Sequence, residues 1–146
     1  MKFGPCRIRA AGGSFNGMAH VMVVDDEGDS REFVTRFLAR TGHRVSSAQD
    51  GQDALHRLLH ERPDVVVLDV RMPTMDGVGL LEIMRSYLRW HHVPVVVLSA
   101  HATQEQLDKM RGMGVRHVLH KANFTLDDLG VAIDEELAAR NADPAN

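Results

Sequence analysis

Three runs of aliphatic residues limit what this chain can fold into: Val21-Met22-Val23-Val24, Val65-Val66-Val67-Leu68 and Val93-Pro94-Val95-Val96-Val97-Leu98. None alternates with polar residues. A strand with one wet face would alternate, so these runs suit strands buried on both faces of a parallel sheet. Two weaker runs, His43 to Ala48 and Val115 to His120, carry Arg44, Arg116 and His117, and their polarity assigns them to the sheet edges.

Amphipathic stretches separate the runs. Phe33, Val34, Phe37 and Leu38 predict one apolar helix face, and Ala54, Leu55, Leu58 and Leu59 repeat the spacing. Leu80, Leu81, Ile83, Met84, Tyr87 and Leu88 form a wider stripe. Leu107, Met110 and Met113 form a thinner one, and Leu126, Leu129, Ile133 and Leu137 close the series. Thr103 with Gln106 reads as a capping box, Asp50 as the cap of the second helix and Gly42 as the end of the first.

Five strands alternating with five helices predict an α/β fold: a doubly wound, five-stranded parallel sheet covered on both faces. Right-handed crossovers restrict the topology, and the expected strand order is 2-1-3-4-5. Such sheets bind ligands beyond the carboxyl ends of the strands, at the switch point between the first and third.

The 146 residues fit one compact domain. Residues 1–19, rich in glycine, read as an arm or leader, 20–141 as the domain and 142–146 as a tail. The net charge of −3 offers no footprint for a phosphate backbone, which argues against direct nucleic-acid binding. No apolar run approaches a membrane span, and no apolar segment follows Lys2, Arg7 and Arg9 as a secretory signal requires. Cys6 has no partner for an internal disulfide, so a reducing, cytoplasmic location is expected.

The residues just past each run carry the chemistry. The first run ends in Asp25-Asp26, the second in Asp69, the third in Ser99 and the last in Lys121. Singly, each has an ordinary explanation as a turn residue, a cap or a solvated charge. Together they deliver three carboxylates, a hydroxyl and an ammonium to one sheet edge. Crowded carboxylates repel, and one would take up a proton unless a cation intervened. Mg²⁺ prefers oxygen ligands and is held by one or two carboxylates plus phosphate. An aspartate can itself accept a phosphoryl group, in a transfer that depends mainly on positioning and charge neutralisation. The pairs His91-His92 and His56/His60 read as exposed histidines rather than metal ligands, while His101 should face the site entrance.

These residues resemble the receiver domain of two-component response regulators. The resemblance rests on Val23-Val24-Asp25-Asp26-Glu27, on Leu68-Asp69-Val70-Arg71-Met72-Pro73-Thr74-Met75-Asp76-Gly77, on Leu98-Ser99-Ala100 and on His120-Lys121. It implies the CheY-like form of the flavodoxin fold. It also implies Asp69 as phosphoacceptor, Mg²⁺ held by Asp25, Asp26, Asp69 and the backbone carbonyl of Arg71, and Ser99 and Lys121 as partners of the phosphoryl group. The implied donor is a phosphohistidine on a sensor histidine kinase or phosphotransfer protein, and the output passes to an unidentified downstream protein. The implied domain is a switch rather than a metabolic enzyme, catalysing only its own phosphorylation and dephosphorylation. A homodimer through the fourth helix, last strand and fifth helix is compatible with this. The sequence departs from the family in two places. Ala122 follows Lys121 where proline is usual, so a trans peptide is expected, with a looser Lys121. Val118 stands where an aromatic residue is usual, which leaves a degenerate receiver acting as an interaction module as the alternative. A phosphohydrolase of the haloacid dehalogenase class fits less well, because Asp69-Val70-Arg71 has no acid two residues on.

Overall fold

The computed structural model describes residues 19–70, 72 and 75–142. The expected leader and most of the expected tail, residues 1–18 and 143–146, lie outside them. Ten elements alternate along the chain: β1 (His20–Val24), α1 (Gly28–Arg40), β2 (Arg44–Ala48), α2 (Gly51–Leu58), β3 (Val65–Asp69), α3 (Gly77–Ser86), β4 (Val95–Ser99), α4 (Gln104–Gly112), β5 (His117–His120) and α5 (Leu126–Ala142). All strand pairs are parallel and the order is β2-β1-β3-β4-β5, as the alternation predicts. The polar runs are indeed the edges.

The apolar runs are continuous because each strand feeds two cores. Met22, Val24, Val66, Leu68, Val95 and Val97 point to one face, beneath α2, α3 and α4. Val21, Val23, Val65, Val67, Val96 and Leu98 point to the other, beneath α1 and α5. The methionines of the core fall on the first face: Met22, Met84 and Met110 are buried there, and Met72, Met75 and Met113 pack against it. The second core is built from Val, Leu, Ile and Ala, with Phe37 and Phe124 at its margin.

Helix ends follow local chemistry. Asp50 accepts from the Asp53 N–H at 2.8 Å. Thr103 and Gln106 complete a reciprocal capping box at the start of α4. Gly42, at φ +99°, takes the left-handed turn that leads out of α1. At the β5 edge, the buried Glu136 of α5 accepts from Arg116 at 2.7 Å and pairs with His117 at 2.8 Å.

Three expectations from periodicity fail. α3 stops at Ser86 and Tyr87 turns extended, so both Tyr87 and Leu88 leave the helical stripe: Tyr87 lies half exposed against Trp90, and Leu88 stands in solvent at 87% exposure. Leu59 lies just past the end of α2 and is exposed in the same way. On α1, Val34 and Leu38 are buried, but Phe33 is not, because the buried stripe is narrower than the apolar one. β5 is also shorter than its run: Val115 is buried just past the turn at Gly114, its N–H bonded to the Met110 carbonyl at 3.1 Å.

Candidate functional site

All the strands run in one direction, so the polar residues that end the apolar runs collect at one edge. Asp25 and Asp26 follow β1, Asp69 ends β3, Ser99 ends β4, and Lys121 follows β5. Carboxylate oxygens of Asp25, Asp26 and Asp69 lie within 4.8 Å of one another. Asp26 is exposed, whereas Asp25 and Asp69 are buried, at 2% and 6% exposure. The Lys121 ammonium sits 3.0 Å from Asp25 Oδ2 and 3.3 Å from Asp69 Oδ2. Burial opposes its charge, but the hydrogen bond and charge of Asp25, reinforced by Asp69, outweigh that and raise its pKa above the ordinary lysine value.

Asp25 is closely tied. Its Oδ1 accepts from the Glu27 N–H at 3.0 Å and its Oδ2 from the Ser30 hydroxyl at 2.8 Å. Its backbone carbonyl accepts from Arg31 at 2.7 Å. Sequence reasoning missed Ser30 and Arg31. The signal for both was the helix start at Gly28, whose first turn lies over the acid pair. The Ser99 hydroxyl accepts from the Ala102 N–H at 2.9 Å, so it is turned toward its own loop.

The motif after Asp69 has a steric basis. Gly77 donates to the Val70 carbonyl at 2.7 Å. A Cβ on Gly77 would lie 2.5 Å from the Asp69 carbonyl oxygen and 2.8 Å from Val70 Cα, so only glycine lets α3 start this close to the acceptor strand. Asp76 caps the same helix, accepting from the Gly79 N–H at 2.9 Å. Arg71, whose carbonyl was the fourth expected metal ligand, lies outside the described residues, as do Pro73 and Thr74.

Lys121 is restrained without proline. No peptide among the described residues is cis, as expected for Lys121–Ala122. The Lys121 N–H bonds to the Ser99 carbonyl at 2.9 Å, and the His120 carbonyl accepts from Asn123 and Phe124 at 3.1 and 2.9 Å. Phe124 in turn packs against the second core. Val118, in place of the aromatic, packs against the first core. His101 lines the mouth as expected, in a cleft of about 790 Å³ shared with Asp26, Glu27, Asp69, Met72 and Lys121. Within each of the pairs His56/His60 and His91/His92 the rings meet edge to face, and the three aspartates are the only group of three potential metal ligands among the described residues.

That donor set suits a hard cation. It is all oxygen, it is compact, and one ammonium faces three carboxylates, leaving charge that a divalent ion would neutralise.

Residues 21–134 match the family model described as the response regulator receiver domain. The chain belongs to that family. The receiver domain is 37% identical over 124 residues to the transcriptional regulatory protein PrrA of Mycobacterium leprae, covering 84% of this chain and 51% of that protein. It is 33% identical over 117 residues to the regulatory protein AtoC of Escherichia coli, covering 80% of this chain and 25% of that protein. Among solved structures it resembles the chemotaxis protein CheY4 of Vibrio cholerae, with a TM-score of 0.75 and 28% identity over 82% of this chain and 98% of that one. The chain thus spans about half or less of the curated relatives named here. These relatives are regulators, and the family is one of signalling switches. Among the described residues, no helix is long and apolar enough to cross a membrane.

Proposed function

We propose that this receiver domain accepts a phosphoryl group on Asp69 from a phosphohistidine, with Mg²⁺ held by Asp25, Asp26, Asp69 and the carbonyl of Arg71. The observation that carries this reading is the Lys121 ammonium poised on both Asp69 and Asp25 beside a third carboxylate. In the transfer, an Asp69 carboxylate oxygen forms the new P–O bond while the P–N bond to the donor imidazole breaks, and the departing ring takes up a proton. Lys121 then pairs with a phosphoryl oxygen, and Ser99 exchanges its bond to Ala102 for one donated to the phosphoryl group. Bound Mg²⁺ supplies charge neutralisation at the phosphoryl oxygens. The same groups admit water for slow hydrolysis, which resets the switch. The donor is a histidine kinase or phosphotransfer protein, and a downstream protein reads the changed face. The unit that does this runs from His20 to Asn141.

Intact-mass spectrometry after incubation with acetyl phosphate tests the proposal, with and without Mg²⁺, on wild type and Asp69→Ala. One phosphoryl adduct that needs both Mg²⁺ and Asp69 is expected. A folded, Mg²⁺-binding wild type that takes no adduct would overturn it in favour of a phosphorylation-independent interaction module.

A further inference from the structure

Ser30 makes a contact that the phosphoryl chemistry does not use. It is the third residue of α1, and its side chain reaches back to the end of β1, where its hydroxyl donates to Asp25 Oδ2 at 2.8 Å. The same oxygen faces the Lys121 ammonium at 3.0 Å. The carboxylate is 2% exposed, so its donors come mainly from the protein, and each bond is strengthened by the low local dielectric. Two donors on one oxygen also share its electron density, so each weakens the other's hold.

We propose that Ser30 is a positioning residue for the acid cluster: its hydroxyl keeps Asp25 divided between Lys121 and a divalent cation instead of letting the lysine capture it. The inference rests on the phosphoacceptor reading above. Without the hydroxyl, the carboxylate loses a restraint on its rotation and Oδ2 turns wholly to Lys121. An incoming cation then has to displace a tighter ion pair, and the ammonium is drawn away from Asp69. The Glu27 N–H still holds Oδ1 at 3.0 Å, and Arg31 still holds the backbone, so the loop itself keeps its fold.

The test compares the full chain as wild type, Ser30→Ala, Ser30→Thr, Lys121→Ala and the double variant Ser30→Ala/Lys121→Ala. Mg²⁺ affinity is measured by calorimetry. The rate of labelling by acetyl phosphate is followed against Mg²⁺ concentration. Ser30→Ala should weaken Mg²⁺ binding by about tenfold, the equivalent of losing about 1.4 kcal/mol. Its labelling rate should recover at saturating Mg²⁺, Ser30→Thr should restore the affinity, and in the Lys121→Ala background the same substitution should have little effect. Wild-type Mg²⁺ affinity in Ser30→Ala would overturn the inference. So would a loss that threonine does not restore and that persists without Lys121, because that pattern marks a merely structural serine. A wild type that binds no Mg²⁺ and takes no label would instead overturn the phosphoacceptor reading beneath it.

Discussion

Replacing Gly77 with alanine should damage both the stability of the domain and its proposed chemistry. The new Cβ would lie 2.5 Å from the Asp69 carbonyl oxygen, about 0.9 Å short of the 3.4 Å at which ordinary contact begins. The obstacle is the backbone of β3, not the end of a flexible side chain, so α3 and the strand must move apart. Overpacking of this kind costs about 1–3 kcal/mol, and a backbone obstacle puts the cost near the top of that range. Alanine's better helix propensity returns up to about 1 kcal/mol. The net loss is about 2 kcal/mol, which lowers the melting temperature by about 6–8 °C at about 3–4 °C per kcal/mol. Gly112 is the control: nothing lies within 4 Å of its would-be Cβ, so Gly112→Ala should raise stability by about 0.5–1 kcal/mol. Trp90, the single tryptophan and buried in the first core, reports both transitions by fluorescence. Because the clash falls on the acceptor residue, labelling of Asp69 should also slow, on the order of tenfold or more, since a misplacement near 1 Å can cost a hundredfold. A Gly77→Ala protein that melts at or above wild type, with Gly112→Ala behaving as expected, would refute the steric account.

Two further outcomes follow from the geometry. Lys121 has a raised pKa in the folded chain, so its contribution to stability is fully present below the unfolded lysine value near pH 10.4 and is lost as pH rises through the folded value. Urea denaturation across the alkaline range should therefore show a loss of stability that Lys121→Met lacks; equal slopes for the two proteins would refute the assignment. Thr103→Ala removes the capping box of α4 and should cost about 1 kcal/mol, read as a fall of about 3–4 °C in melting temperature; an unchanged melting temperature would show that the cap contributes nothing.

The fold was legible because valine runs without alternation admit few architectures, and both faces of the sheet are in fact covered. The acid pair, Asp69, Ser99 and Lys121 were legible for the same reason: parallel strands that end together bring their next residues together. Periodicity failed where a helix ended early, at Tyr87, Leu88 and Leu59, because apolar spacing continues past the last hydrogen-bonded turn. For Ser30 the helix start at Gly28 was only a partial signal: which side chain of that first turn reaches the carboxylate depends on the angle at which α1 leaves Asp25, which no pattern of residue types encodes. The missing proline after Lys121 pointed toward a looser loop. The backbone bonds of Lys121 and His120, and the packing of Phe124 against the second core, supply restraints that cannot be read from the residue after the lysine.

The unequal distribution of methionine gives the two sides of the sheet different mechanical characters. Branched side chains with few rotamers dominate both layers, and no methionine is among the described buried residues of the layer under α1 and α5. Three unbranched thioethers, Met22, Met84 and Met110, sit among the valines and leucines of the layer under α2, α3 and α4, where they refit irregular gaps at small cost. The loop after Asp69 sends Met72 and Met75 into that compliant layer, and the loop after Ser99 sends in Ala102. A push delivered at the strand ends therefore meets side chains with more rotamer freedom on one side than on the other. The shape change it produces should be larger at α3 and α4 than at α1 and α5.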